Sequence, residues 1–307
     1  MDTHSKLRQR LSQFPRIPYA GLPTPLEPLP RLSAKLKGPQ LWLKRDDNFG
    51  PGMGGNKGRK LSFLMANVQQ QGKQKVVTYG GLQSNHARMT AAACAALGLE
   101  AHLFFFEKRP LSLEGNLLLD TLLGANLHFI PFGGGGDASM TLETTNKLVY
   151  VLSKLLVGPR SYFMPVGGHT VVGCLGYVEA AWEIHDQVST LGLPLEKVTV
   201  ITAVGSGGTL AGLMAGLQLI QSPIRLLGID IGKLWKAFPV SLAKLASDLC
   251  GVFDEPTHFS LADVPMIEAV YAGAGYSILN AETVSAIRLL AQTEGVILDP
   301  VYTGKAF

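Results

Sequence analysis

The sequence predicts an α/β protein whose mostly parallel sheets are flanked by helices. Short runs rich in β-formers are apolar without strict alternation, the pattern of strands covered on both faces. Between them lie helical patterns of about ten residues or more, the spacing of parallel βαβ units. The chain has 307 residues, and on a prior of about 100–200 residues per domain that is one large domain or two ordinary ones. Such a length buries a sizeable core without disulfide or metal staples.

The segment Leu22–Pro30 (LPTPLEPLP) is proline-spaced and reads as an extended, wrapping arm. QLWLK (40–44) is the first strand and Lys57–Gln70 the first long helix. Strand KVVTYG (75–80) leads to helix His86–Leu97, and AHLFFF (101–106) to helix Glu114–Leu123. LHFIP (127–131) precedes helix Ser139–Leu156, across a Gly133–Gly136 run that reads as a tolerated flexible loop. YFMPV (162–166) leads to helix Leu175–Gln187, VTVITAV (198–204) to helix Thr209–Ile220, and RLLGID (225–230) to helices Val240–Leu249 and Ala281–Glu294. No internal repeat is visible.

Hydrophobic residues make up 47% and charged residues 16%, too apolar and too weakly charged for a disordered chain. Glycine is abundant, 35 in number, but follows no Gly-X-Y period, so collagen is excluded. A net charge of +4 without a run of like charges does not point to nucleic acid. Cys94, Cys174 and Cys250 form no CxxC and leave an odd count, so no disulfide framework is expected and a reducing, cytoplasmic setting is. The start, MDTHSKLRQRLSQFPR, lacks the apolar stretch of a signal peptide. The most apolar stretch, near Thr90–Phe106, is interrupted by Gly98, Glu100 and His102 and does not read as a membrane span. The histidines show no HExxH or other ligand spacing, so no metal site is expected. Trp42, Trp182 and Trp235 lie in apolar patterns and read as core packing.

Three junctions of strand, turn and helix carry chemistry. NFGPGMGGNKGRK (48–60) puts Lys57, Arg59 and Lys60 at a helix start, where cations oppose the helix dipole. The pattern reads either as a solvated basic surface or as a site with a compensating anion or a lysine held neutral. A positive helix end beside an Arg would depress a lysine pKa and expose a nucleophilic amine. At the second junction, residues 75–99, Ser84 and Asn85 are ordinary N-cap types. The same helix start is also a carboxylate site. At the third, GSGGT (205–209) follows VTVITAV, and Gly205, Gly207 and Gly208 let backbone amides converge on a phosphate. No GK[ST] follows, and Leu210 stands where GxGxxG needs its last glycine. A phosphate cradle, a carboxylate cradle and a poised lysine are together what a pyridoxal phosphate enzyme requires.

The motifs PTPLEPLPRLS (23–33), LKRDD (43–47), GGNKGRK (54–60), GGLQSNHAR (80–88), PVGG (165–168), LGYVEAA (175–181), GSGGTLAGL (205–213), GAGY (273–276) and LDPVYTGKA (298–306) extend over nearly the whole chain. Through them the sequence resembles the D-cysteine desulfhydrase and 1-aminocyclopropane-1-carboxylate deaminase family, of the tryptophan-synthase-β-like (type II) pyridoxal phosphate fold. The resemblance implies two domains, a large cofactor-binding one formed by 1–59 and 164–307 and a small one, 60–163, closing over the substrate, with pyridoxal 5′-phosphate between them. It implies Lys57 as the Schiff-base lysine, Asn85 beside the cofactor's phenolic oxygen, and Gly205, Ser206, Gly207, Gly208 and Thr209 as the phosphate loop. Ser84 falls at the substrate carboxylate or proton-transfer position, with Asn85 and His86 adjoining it. Tyr276 and Tyr302 match tyrosines lining the active site. A homodimer acting on a small amino acid is implied as well.

The sequence departs from the family pattern at three places. Gly58 replaces Thr in GGNKTRK, and PVGG continues as HTVVGCLGY, with His169 and Val172, instead of the Ser-Asn-Pro-Leu-Gly-Ala form. Thr303 stands where the deaminases carry a Glu that pairs with the cofactor's ring nitrogen. A hydroxyl stabilises a protonated ring nitrogen less than a carboxylate does, so the ring is a weaker electron sink. Expelling a thiolate, whose acid has a pKa of about 8.5, tolerates that; opening a cyclopropane tolerates it poorly. Thr303 thus favours α,β-elimination over deaminase chemistry, with D-cysteine going to pyruvate, sulfide and ammonia as the leading reading and 1-aminocyclopropane-1-carboxylate deaminase or L-cysteate sulfo-lyase as alternatives. The family continues past VYTGKA with a helix, a further core strand and a His-Thr/Leu-Gly-Gly loop, whereas this sequence ends at Phe307. The resemblance therefore implies a truncated sequence or a site lacking one wall. Two rivals of other classes are a catalytically impaired homologue acting as a binding protein and a dinucleotide-dependent oxidoreductase. The failed GxGxxG counts against the second.

Overall fold

In a computed structural model, which describes residues 3–131, 140–267 and 270–307, the unalternating apolar runs form parallel sheets. The elements in order are α1 (Thr3–Ser12), β1 (Leu26–Pro28), α2 (Pro30–Leu36), β2 (Trp42–Lys44), α3 (Lys57–Gln70), β3 (Lys75–Tyr79), α4 (Asn85–Ala96), β4 (Glu100–Phe105), α5 (Gly115–Leu122) and β5 (Asn126–Phe129). There follow α6 (Leu142–Leu156), β6 (Tyr162–Phe163), α7 (Val171–Thr190), β7 (Thr199–Val204), α8 (Gly208–Leu219), β8 (Arg225–Asp230), α9 (Phe238–Val252), β9 (Met266–Ile267), α10 (Ala281–Glu294) and α11 (Thr303–Ala306).

One parallel sheet has the order β5-β4-β3-β6 and a second the order β7-β8-β9, while β1 and β2 pair antiparallel. The largest core lies among α7, α8 and α9, where Trp182 is buried and its indole N–H donates to Gly216 O at 3.0 Å. A second core joins α3 and α4 to the first sheet through Leu64, Met65, Met89 and Leu103. No helix among the described residues is long and apolar enough to cross a membrane. β7 is an edge strand, and its Ile201 is 56% exposed.

Several elements differ from the sequence expectation for reasons of packing. The Leu22–Pro30 arm contains β1, because residues 26–28 find a partner in β2, and its last proline opens α2. Proline at a helix start sacrifices an N–H that has no intrahelical partner anyway. That helix then buries Leu32 against Leu290 of α10. α1 forms because Leu7 and Leu11, one turn apart, reach the core beside Trp182. α6 starts at Leu142, capped by Thr141 Oγ1, which accepts from Thr144 N at 3.1 Å. The expected start Ser139 and the Gly133–Gly136 run lie outside the described residues.

The entry to α3 is fixed by a buried ion network. Arg59, 1% exposed, donates from Nε and Nη2 to Asp46 at 2.9 Å each, and to Glu183 at 2.9 and 3.1 Å. Asp46 also accepts from Thr24 Oγ1 at 2.8 Å and Tyr177 OH at 2.9 Å. Glu183 accepts from Thr24 N at 2.8 Å and pairs with Lys44. Burial opposes the charge of Asp46, Glu183 and Arg59, yet their mutual attraction wins: both carboxyls titrate below their usual range and the guanidinium above its own. The network ties the arm, LKRDD, α3 and α7 to one point. Arg59→Met leaves Asp46 without a cation and Glu183 with Lys44 alone, and should cost about 3–5 kcal/mol, read as a lowered unfolding midpoint. Arg59→Lys, which lacks the fork that serves two carboxylates, should recover only part of it. An unchanged midpoint in Arg59→Met would show that the network contributes nothing.

Candidate active site

Lys57 is the first residue of α3, and its Nζ donates to Asn56 Oδ1 at 3.0 Å. Burial lowers its pKa to about 7, the positive charge of Lys60 adds to the depression, and Asp299 acts against it. The GGNKGRK motif suggests Arg59 as the depressing neighbour. The structure corrects this, because Arg59 is committed to Asp46 and Glu183, and Lys60 is the cation facing Lys57. Residues three apart share a helix face, so the spacing alone held that signal. Lys60 Nζ donates to Gly167 O at 3.0 Å and stands behind the glycine turn, where a Cβ on Gly208 would come within 2.7 Å of it.

The 205–209 turn has the form of an anion cradle. Gly207, the N-cap of α8, has φ +75° and no side-chain cap, and a Cβ there would run into Leu242. The first N–H groups of a twelve-residue helix therefore have no capping side chain, which leaves them for an anion. Thr209 Oγ1 accepts from Asn56 Nδ2 at 3.3 Å, joining this turn to the start of α3. A Cβ on Gly205 would stand 3.1 Å from the Tyr302 ring, so the turn is also closed against that aromatic. A cradle shaped by absent Cβ atoms, an uncapped helix end, the Lys60 amine behind it and a second lysine, Lys57, inclined to the neutral form suit a phosphate-bearing aldehyde. The residues present fit pyridoxal 5′-phosphate.

At the start of α4, Ser84 Oγ accepts from Ala87 N at 3.2 Å, so the capping role is real. The next residue, Asn85, also faces the cleft. His86 Nε2 is paired with Thr78 Oγ1 at 3.0 Å, and its Nδ1 has no hydrogen-bond partner among the described residues. Burial, then Lys57 and Lys60, hold this imidazole well below the usual histidine range. Opposite stand Tyr276 and Tyr302, their hydroxyls 2.6 Å apart, with Lys57 Nζ 5.9 Å from the Tyr302 ring centre. Thr303 donates its hydroxyl to Asp299 Oδ2 at 2.8 Å, while Asp299 Oδ1 accepts from Val301 N at 2.9 Å and Tyr302 N at 2.7 Å. Asp299 is thus the carboxylate of this wall, and sequence reading did not single it out. The DPVYT turn, an Asp four residues before a Thr, was its local signal.

Lys57, Ser84, Asn85, His86, Gly205, Ser206, Gly207, Thr209, Tyr276, Tyr302 and Thr303 all border one cavity of about 2090 Å³, and Gly208 lies just behind its wall. That volume exceeds the roughly 300–1,000 Å³ of a small-molecule site, because the cleft is continuous with an apolar groove along β7 lined by Ile201, Leu289 and Ile297. The chemistry gathers at the polar end, where the starts of α3, α4 and α8 meet. Trp235 also borders the cavity, and its buried indole N–H has no partner among the described residues. It sits in the loop after β8, half-buried, and packs against the hydrophobic core as its apolar surroundings suggest while also lining the cleft.

Two departures acquire local reasons. A Cβ on Gly58 would stand 2.6 Å from Phe49 O, so this backbone has no room for Thr. His169 Nε2 pairs with Ser241 Oγ at 3.2 Å, and burial followed by Lys60 lowers its pKa to about 4. Among the described residues no group of three or more His, Cys, Asp or Glu could hold a metal ion.

In the apoprotein, a Lys57 pKa of about 7 means that the neutral amine grows from about a tenth to about nine tenths across the two surrounding pH units. The rate of pyridoxal phosphate uptake, followed by visible absorbance, should rise and then level off above about pH 8. An ordinary lysine of pKa about 10.4 would keep gaining about tenfold per pH unit. A climb that continues past about pH 9 would show that Lys57 is not depressed.

Relatives of known name share this layout. A Klebsiella pneumoniae protein named D-cysteine desulfhydrase is 38% identical over 306 residues, covering 97% of this chain and 88% of the relative. A Pyrococcus furiosus protein provisionally named 1-aminocyclopropane-1-carboxylate deaminase is 36% identical over 307 residues, covering 99% and 88%. Among solved structures, one described as an ACC deaminase homologue superposes with a TM-score of 0.83 at 33% identity, covering 99% of this chain and 88% of that one. A fungal L-serine ammonia-lyase from Rhizomucor miehei, at 19% identity and TM-score 0.59, shares the fold. Residues 17–307 match the family described as pyridoxal-phosphate dependent enzyme. By that match and by these relatives, the chain belongs to that pyridoxal phosphate-dependent family, on the branch that holds the D-cysteine desulfhydrases and 1-aminocyclopropane-1-carboxylate deaminases.

Proposed function

We propose that this pyridoxal phosphate-dependent lyase acts on D-cysteine, converting it with water to pyruvate, hydrogen sulfide and ammonia. The observation that carries the substrate is Thr303. Position 303 is a threonine whose hydroxyl donates to Asp299, so it offers no carboxylate to hold a proton on the cofactor's ring nitrogen. When bound, the cofactor supplies an electron sink for the pair left on Cα. A weakened sink suits a thiolate leaving group better than a carbon one.

The chain's own groups divide the remaining work. The α8 start and Lys60 hold the phosphate, and the α4 start, with Ser84, Asn85 and His86, receives the amino acid's carboxylate. Lys57 Nζ, inclined to the neutral form by burial and Lys60, takes the Cα proton, with the Ser84 or Tyr276 hydroxyl as the adjacent carrier. The β-sulfur departs with the C–S electron pair, and the released 2-aminoacrylate hydrolyses to pyruvate and ammonia. Residues 60–163 act as a unit closing over the substrate. The active form is a homodimer in the cytoplasm, a setting that suits three free, buried cysteines. The names carried by the Pyrococcus relative and the superposed structure favour a second reading, 1-aminocyclopropane-1-carboxylate deamination, and L-cysteate is the third substrate to compare.

Pyruvate release should be fastest from D-cysteine when the three substrates are compared at equal concentration. Faster turnover of 1-aminocyclopropane-1-carboxylate would sink the Thr303 argument. Lys57→Ala should give colourless, inactive protein, and Ser84→Ala should lower kcat by about 10²–10⁴-fold if its hydroxyl carries the proton. Thr303→Glu should shift the preference towards the cyclopropane substrate.

A further inference from the structure

We propose that Asn116, on the first turn of α5, is a positioning residue that fixes which end of the Asn85 amide faces the cofactor. The proposal rests on reading Asn85 as a contact of the cofactor ring. An asparagine amide can turn over, offering its oxygen or its NH₂ to the cleft, and only NH₂ donates to a phenolic oxygen. Here the choice is forced by a chain of groups that each have one possible role.

Asn116 Nδ2 lies 2.8 Å from Gln83 O. A carbonyl only accepts, so this end of Asn116 is the NH₂. The same NH₂ donates to Asn85 Oδ1 at 2.9 Å. Arg88 Nη2, which can only donate, reaches that oxygen at 3.3 Å. Two obligate donors therefore hold Oδ1 away from the cleft, and Asn85 Nδ2, with no protein partner among the described residues, is the end left to face the cavity.

The anchor behind this chain is firm. Gln83 grips the start of α5 from both ends of its own amide: Oε1 accepts from Asn116 N at 2.9 Å, and Nε2 donates to Glu114 O at 3.1 Å. Gly115 has φ +57°, and a Cβ there would collide with Gln83 Oε1. Arg88 is held in turn by the Gly52 and Gly54 carbonyls. The carboxyl of Asp120, one turn after Asn116, is fully buried with no hydrogen bond from the described residues, and the charge of Arg88 acts on it. So α5 contributes two side chains to the orientation of one amide that precedes it in the chain by about 30 residues.

The test uses the absorption spectrum of bound pyridoxal phosphate, which reports the ionisation of its phenolic oxygen, and the dissociation constant from titration of the apoprotein. Asn116→Asp puts an acceptor against Asn85 Oδ1 and should turn the amide over, shifting the spectrum and weakening binding by about tenfold. Asn116→Ala removes one donor and should give a smaller shift of the same sign, which covers the case in which Asn116→Asp does not fold. Placed in an Asn85→Ala background, either substitution should add nothing, since it acts only through that amide. Unchanged spectra and affinity in both Asn116 variants, with Asn85→Ala shifted, overturn the proposal alone. A shift that persists in the Asn85→Ala background also overturns it. If Asn85→Ala itself changes neither quantity, the reading of Asn85 fails and takes the proposal with it.

Discussion

Arg59, held between Asp46 and Glu183, fixes the origin from which distances in the cleft are measured. It lies two residues after Lys57 on α3, and its carboxylate partners come from the β2 connection and from α7. Three segments far apart in sequence can meet at one guanidinium only in one arrangement. Once they do, the first turn of α3 has no freedom to roll. That rigidity gives the neighbouring amine a defined environment, because a lysine on a loose helix end would reach water and keep its ordinary basicity.

Around this fixed point the molecule brings together features that ordinary folding avoids. Helix starts carry partial positive charge, and those of α3, α4 and α8 border one cavity together with two lysines. Close packing makes this possible. At Gly208 and Gly58 the backbone passes so near its neighbours that any side chain would collide, so glycine is a requirement of contact at both positions. Aromatic rings and a partly exposed carboxylate, Asp299, complete the opposite wall.

Much of this was legible in the sequence, and the limits follow from range. α3 and α10 begin and end where the pattern placed them, because their boundaries are set locally: a glycine-rich turn before Lys57, and Asn280 and Gly295 at the two ends of α10. The turn around 205–209 was legible for the same reason. What the pattern could not hold was whatever depends on a distant partner. β1 is a strand only because β2 lies beside it, and β9 is two residues long and exists through β8. Arg59 and Lys60 are adjacent in the motif, yet only the positions of Asp46, Glu183 and Gly208 show which is neutralised and which faces the site. Trp235 looked apolar in context and proved to border the cleft for the same reason.

The proximity of Lys57 and Lys60 also bears on how long a molecule lasts. Burial beside one another at the positive ends of helices penalises the charged forms of both lysines in the free protein, and the start of α3 carries that electrostatic cost. A dianion at the α8 start relieves it and stabilises the native state by mass action, about 2.7 kcal/mol at a hundred times its dissociation constant. Free and loaded molecules are then two populations of unequal lifetime, with the free form opening more readily to proteases and chaperones. The standing amount of this protein would follow the supply of its cofactor even at a constant rate of synthesis.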